Sequence, residues 1–119
     1  SSDLQTFNIP QGVYDVVIDV AELATNGNGR KKAGLFISKG GEEQTPNMDS
    51  SGNWTENTNL LKSVDFYMPG ETYSENYKDR RFVIENLTID YEGETTLGFV
   101  VHFDSNRALK ISSIKVLLK

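Results

Sequence analysis

The chain has 119 residues, no cysteine, and 12 lysines and arginines against 17 aspartates and glutamates, giving a formal net charge of −5. This length predicts a single domain over residues 1–119 that needs no disulfide, and the acidic balance with scattered basic residues argues against a nucleic-acid partner. No apolar run approaches the roughly 18 residues that span a bilayer, so we expect a mature or excised soluble piece without membrane insertion.

Two strands are predicted at the start of the chain. Residues 4–9 alternate apolar and polar side chains and end at the turn signal Pro10-Gln11-Gly12. Residues 13–20 form the second strand, in which every other side chain is apolar, so one face is expected to pack on a core while the other meets solvent. The expected core face of this strand carries Tyr14, Val16, Ile18 and Val20.

The middle of the chain alternates predicted strands with long polar stretches. Residues 32–38 form the third strand, and residues 40–59 show no periodicity and are rich in small, polar and acidic side chains. Residues 60–68 form the fourth strand, which ends at Pro69-Gly70. Residues 71–79 are then predicted to form a second polar loop.

The second half of the chain carries the clearest antiparallel pattern. Residues 82–91 lead to the turn Glu92-Gly93-Glu94, and residues 96–103 follow with alternating apolar positions. A last strand ends the chain. Its expected buried face carries Ile111, Ile114, Val116 and Leu118.

About seven or eight short strands separated by turns predict an all-β antiparallel β-sandwich, for which we favour a jelly-roll over an immunoglobulin-like arrangement. Matched alternation in at least five segments points to one core between the two sheets. We expect that core to contain Tyr14, Val16, Ile18, Leu35, Ile37, Phe82, Leu97, Phe99, Val101, Phe103, Ile114 and Val116.

Several short motifs follow one another in a recognisable order. They are Pro10-Gln11-Gly12-Val13-Tyr14, Ala33-Gly34-Leu35-Phe36, Gly93-Glu94-Thr95-Thr96-Leu97-Gly98-Phe99 and Ile111-Ser112-Ser113-Ile114-Lys115-Val116-Leu117. In this order the chain resembles the galactose-binding-like jelly-roll modules of bacterial glycan-degrading enzymes and cell-surface lipoproteins. The resemblance implies a carbohydrate-binding accessory module of a secreted or cell-surface protein, with an extracellular or surface location.

Sugar recognition uses flat aromatic faces together with planar polar groups, usually on loops that a rigid scaffold positions. The two polar loops supply both kinds of side chain. Trp54 is an expected stacking platform, or alternatively a plug over the core. Tyr73 or Tyr77 is the second expected platform, and Tyr77 is alternatively a core anchor with solvated arginines beside it. The expected ligand-binding residues are Asn53, Trp54, Tyr73, Asn76, Tyr77, Asp79 and Arg80.

The sequence contains no recognisable catalytic motif, so we expect no enzyme, no catalytic residues and no cofactor. His102, the single histidine, is expected on an outer sheet face, as are Asp15 and Asp19. A structural calcium ion would draw on acids such as Glu42, Glu43 and Asp49, but their spacing matches no known calcium loop, and we expect no metal site.

The sequence therefore predicts a non-catalytic module that binds a polysaccharide or oligosaccharide and contacts neighbouring domains of a larger polypeptide. The alternative is a structural spacer or protein-interaction domain with no glycan ligand. Domain context would separate these two classes, because a glycoside hydrolase on the same polypeptide favours the first and an adhesion or assembly protein favours the second.

Overall fold

A computed structural model describes residues 2–25, 31–41, 58–66, 77–103 and 107–119. Seven strands and no helix are present in these ranges. The strands are β1 (Ser2–Asn8), β2 (Gly12–Thr25), β3 (Lys31–Lys39), β4 (Leu60–Asp65), β5 (Tyr77–Ile89), β6 (Glu94–Phe103) and β7 (Arg107–Leu118).

The strands form two antiparallel sheets. Sheet A has the order β1-β6-β3-β4 and sheet B has the order β5-β2-β7, with every described pairing antiparallel. The predicted all-β, antiparallel architecture with a sandwich-like arrangement is confirmed at this level. The jelly-roll connectivity stays a prediction.

One hydrophobic cluster joins the two sheets. The apolar face of β2 is buried as its alternation predicts, and Phe66, which follows β4, is fully buried among side chains of both sheets. The Phe66 ring lies 5.0 Å from that of Phe82 in sheet B and 6.2 Å from that of Phe99 in sheet A. Burial of these aromatic side chains between the sheets is a large favourable contribution to stability.

Most of the predicted core is confirmed. Phe82, Phe99 and Ile114 are partly buried and pack against the cluster, whereas the prediction for Val116 is wrong, because its side chain is 37% exposed. Leu118, also expected on a buried face, is 69% exposed. The side chains of Val101 and Phe103 lie outside the described part. The predicted residues that are buried are Tyr14, Val16, Ile18, Leu35, Ile37 and Leu97.

Several predicted strand bounds are wrong: β1 spans residues 2–8 rather than 4–9, β2 ends at Thr25 rather than at residue 20, and β4 ends at Asp65 rather than at residue 68. β5 begins at Tyr77 rather than at residue 82, because the long strand β2 extends to Thr25 and pairs Leu23 with Tyr77. The end of the predicted second loop, residues 77–79, is therefore strand. Within β5, a bulge places residues 85 and 86 opposite the single residue Asp15 of β2.

The sheets have two distinct ends. The turn end holds residues 9–11, residues 90–93 and Gly40, whose N–H donates to the Glu94 carbonyl at 2.8 Å. The loop end holds the last residues of β2, β4 and β6 and the first residues of β3, β5 and β7. Each connection between consecutive strands therefore starts and finishes at the same end of the sheets.

Candidate functional site

Three of the predicted ligand residues lie together at the start of β5, at the loop end. Tyr77 is paired with Leu23 and Arg80 with Val20 of β2, so the backbone here is held by a regular ladder. Asp79 is exposed and Arg80 is half-buried. Their position on a paired strand fixes them more firmly than the predicted loop would have done.

Asp79 has an unusual backbone conformation for a strand residue. Its φ of 53° lies in the left-handed region, which asparagine and aspartate tolerate better than other residues with a side chain. Its carboxylate makes no hydrogen bond or ion pair with the residues that the structure describes. Backbone conformations of this kind persist only where the surroundings hold them, and they cluster at binding sites.

The second left-handed residue, Asn86, has a structural explanation. Its φ is 59°, and its N–H donates to Asp15 Oδ1 at 3.1 Å within the β5 bulge. Its side-chain Oδ1 accepts a hydrogen bond from Lys119 Nζ at 2.7 Å. These contacts stabilise the bulge and account for the left-handed backbone of Asn86. No comparable set of contacts surrounds Asp79 within the described residues.

The remaining predicted ligand residues, Asn53, Trp54, Tyr73 and Asn76, lie outside the described residues. The two segments that carry them start from different places. The segment 42–57 is bounded by Gly41 and Thr58 at the turn end, whereas the segment 67–76 is bounded by Phe66 and Tyr77 at the loop end. The described flanks of the two segments therefore lie at opposite ends of the sheets.

A polar cluster occupies the outer face of sheet B. Arg81 Nε donates to Asp19 Oδ1 at 2.7 Å, and the Ser113 hydroxyl donates to Asp19 Oδ2 at 3.0 Å. The Arg81 guanidinium, and after it the Ser113 hydroxyl, lowers the pKa of the Asp19 carboxyl from its ordinary value of 3.8. This carboxylate links all three strands of the sheet, which is a structural role.

Other sequence-based candidates contribute less to a site. Asp15 joins the same outer face through an ion pair with Lys119, in which Oδ1 and Nζ are 3.6 Å apart. His102 pairs with Lys32 in the β3–β6 ladder, and its side chain is outside the described part. The possible calcium ligands Glu42, Glu43 and Asp49 also lie outside it.

The described ranges hold neither a metal-ligand cluster nor a membrane-spanning helix. No group of three or more His, Cys, Asp or Glu side chains there could hold a metal ion. No helix in the same ranges is long and apolar enough to cross a membrane.

An apolar cleft opens between the sheets on the side of β1 and β7, and sequence reasoning did not find it. Its volume is about 700 Å³. Tyr14 and Pro10 line one part of the cleft, where the Tyr14 hydroxyl donates a hydrogen bond to the Pro10 carbonyl oxygen at 2.6 Å. The other side chains that line the cleft are Gln5, Phe7, Asn8, Ile9, Leu97, Phe99, Ile111, Ile114 and Val116. The sequence signal for the cleft was the apolar alternation of β7. This pattern predicts a buried strand, although β7 is an edge strand of sheet B.

Comparison of the chain with protein-family models, with curated protein sequences and with solved structures gave no match. Function must therefore be argued from the chemistry of the chain itself.

Proposed function

We propose that the protein is a non-catalytic carbohydrate-binding module with jelly-roll connectivity, carried by a secreted or cell-surface bacterial protein. Its main ligand region is the loop end of sheet B, around Tyr77, Asp79 and Arg80. The proposal rests on the sequence resemblance to galactose-binding-like accessory modules and on the chemistry of these three residues.

The observation that carries the proposal is the left-handed backbone of Asp79. The strand residues around it are held in a paired ladder, and its carboxylate is exposed next to Arg80. The Asp79 carboxylate can accept hydrogen bonds from sugar hydroxyls at the start of β5, and the Arg80 guanidinium, one residue further along the strand, can donate them. Tyr77 would supply the stacking face, and Tyr73 and Asn76, from the preceding segment, would add contacts.

Trp54 and Asn53 form a second, separable contribution, because their segment is anchored at the turn end. Affinity should be modest, in the high micromolar to millimolar range, since a few stacking and hydrogen-bond contacts must offset desolvated hydroxyls and the entropy of association. An extended polysaccharide could contact both regions, whereas a short oligosaccharide would contact one.

The proposal is tested by binding of the wild-type protein and four variants, Asp79→Asn, Tyr77→Ala, Trp54→Ala and Asp90→Asn, to a panel of immobilised polysaccharides. We expect Asp79→Asn, which keeps a residue that tolerates the left-handed backbone, to weaken binding by about tenfold, and Tyr77→Ala to weaken it similarly. Asp90→Asn, at an exposed acid of the turn end, is the matched control and should bind normally.

The outcomes of this panel separate the candidate regions. Loss of binding with Trp54→Ala alone would move the site to the segment 42–57, and binding that survives every variant would move it to the sheet face near His102. If no polysaccharide binds, the carbohydrate proposal is wrong.

The second candidate function is a spacer or protein-interaction domain. It is favoured by apolar side chains on the outer face of sheet B, where Val83 and Leu117 are each 48% exposed and Val13 is 39% exposed. A neighbouring domain of the same polypeptide could cover this face. Failure of every glycan in the panel would favour this function.

A further inference from the structure

Strand β7 has the sequence of a core strand but not its burial. Its inward side chains are paired across from buried inward side chains of β2, with Val116 opposite Val16 and Leu118 opposite Tyr14. Even so, Val116 is 37% and Leu118 is 69% exposed. The apolar face therefore lacks a cover on the β7 side of the sheet.

The number of strands explains this exposure. Sheet A has four strands and sheet B has three, and β4 of sheet A contacts β5 of sheet B. The two sheets are thus aligned at the β4–β5 side, and β1 has no described strand of sheet B opposite it. Phe7 of β1 is 43% exposed for this reason. The apolar cleft fills the place that a fourth strand of sheet B would take.

The backbone beside the cleft is also open. Within the described residues, β7 pairs only with β2, and β1 pairs only with β6. An open strand edge presents unpaired N–H and C=O groups, which select an extended polypeptide over a compact apolar molecule. The cleft and the edge together thus fit a strand whose alternate side chains point into the cleft.

The charge of β7 specifies the partner further. Residues 107–119 contain Arg107, Lys110, Lys115 and Lys119 and no acidic residue, although the whole chain carries a net charge of −5. Lys110 and Lys119 are engaged by Glu22 and Asp15 of β2. Lys115 is exposed on the outer face. A second copy of β7 would bring like charges together, whereas an acidic strand would be attracted.

We propose that the open edge of β7 binds an extended, acidic segment of a partner protein as a fourth strand of sheet B. The apolar side chains of this segment enter the cleft beside Phe7 and Val116, and its acidic side chains lie on the outer face near Lys115. This interaction uses neither Asp79 nor Arg80, so it is independent of the proposed glycan site.

The probe is a short synthetic peptide that alternates valine with glutamate or threonine, labelled with a fluorophore and titrated by anisotropy. Val116→Glu, on the cleft side of β7, should weaken binding by about tenfold or more, because a charge would be buried under the peptide. Leu117→Gln, at the adjacent and similarly exposed outward position, is the control, because it adds a polar group without a negative charge that would repel the acidic side chains of the peptide. It should weaken binding much less.

Two further peptides test the geometry. A peptide with N-methyl groups on alternate backbone nitrogens cannot complete the ladder and should not bind, and a peptide with lysine in place of glutamate should bind more weakly. Equal binding of the N-methylated peptide would overturn the proposal. Binding of dodecanoate, an alkyl chain with no peptide groups to pair with the strand edge, without binding of the valine–glutamate peptide would overturn it too.

Hydrogen exchange of the wild-type protein provides a readout that does not depend on any variant folding. Within residues 114–118, the backbone amides that point toward the open edge of β7, away from β2, should exchange quickly in the free protein and slowly in the peptide complex. Slow exchange of these amides without peptide would contradict the proposal, since it would mean that the chain itself already covers the edge.

Discussion

At the scale of single residues, the Asp19–Arg81 ion pair predicts a specific dependence of stability on pH. Because the pKa of Asp19 is lower in the folded than in the unfolded protein, its contribution is present above about pH 4 and is lost as the pH falls through the folded pKa. Wild type should therefore be more stable than Asp19→Asn at neutral pH, and the difference should shrink below about pH 4.

Urea unfolding at a series of pH values measures this difference. Arg81→Gln, which removes the main cause of the lowered pKa, should flatten the pH dependence in the same way. A difference between wild type and Asp19→Asn that stayed constant down to pH 2 would show that the carboxylate is not stabilised in the folded state.

Gly98 predicts a second residue-scale effect. It is paired with Leu4 on one side and Phe36 on the other, and an added Cβ would lie 2.5 Å from Leu4 Cδ2 and 2.6 Å from Phe36 Cε1. Phe36 is fully buried on this outer face of sheet A. Gly98→Ala should therefore destabilise the protein by about 1–3 kcal/mol.

Chemical denaturation of a double-mutant cycle tests the cause. The smaller side chain in Phe36→Leu should make room, so that Gly98→Ala costs less in that background than in wild type. Additive effects of the two substitutions would mean that the Phe36 ring does not limit the space at Gly98.

At the scale of elements, the bulge in β5 should depend on a residue that accepts a left-handed backbone. Asn86→Gly and Asn86→Ala both remove the hydrogen bond from Lys119, but only alanine disfavours a φ of 59°. Asn86→Ala should be less stable than Asn86→Gly by about 1 kcal/mol in chemical denaturation. Equal stability of the two variants would show that the left-handed backbone at residue 86 does not disfavour alanine.

The strands differ in how well their sequence predicted them. The alternation of residues 13–20 was read correctly because it is regular and both neighbouring strands are present, so Tyr14, Val16, Ile18 and Val20 are buried. The extension of β2 to Thr25 was not predicted. In β7 the alternation is equally clear, but β7 is the edge of sheet B beside the cleft, so Val116 and Leu118 stay exposed. The apolar residues of β4 do not alternate regularly in the sequence, and their burial in the structure has no period of two. Phe66, which follows β4, was therefore not assigned to the core.

The candidate site was less predictable than the strands. Polar and aromatic composition singled out Tyr77, Asp79 and Arg80, but the sequence placed the first two in a loop. Their strand position depends on the length of β2, and the left-handed backbone of Asp79 depends on the surrounding structure. The cleft arises because sheet A has four strands and sheet B has three, and no local sequence pattern predicts how many strands join each sheet.

At the scale of the whole molecule, the contact between the sheets should depend more on Phe66 than on Phe99. Phe66 is fully buried, whereas Phe99 is partly buried and lines the open cleft. Phe66→Ala should cost about 3–5 kcal/mol of unfolding free energy, and Phe99→Ala should cost less, because its site is already partly open. Thermal and urea unfolding would measure both, and a larger loss for Phe99→Ala would contradict the described packing.

Nuclear magnetic resonance titration of the labelled protein with galacto-, xylo- and gluco-oligosaccharides tests the central claim most directly, because it reports both binding and its location. The proposal predicts that one class of oligosaccharide shifts the backbone amides of Tyr77–Arg81 and their β2 partners Asp19–Leu23, while the amides of the turn end, residues 9–11 and 90–93, stay unchanged. Shifts confined to the turn end or to the β1–β7 cleft, or none with any oligosaccharide, would contradict it.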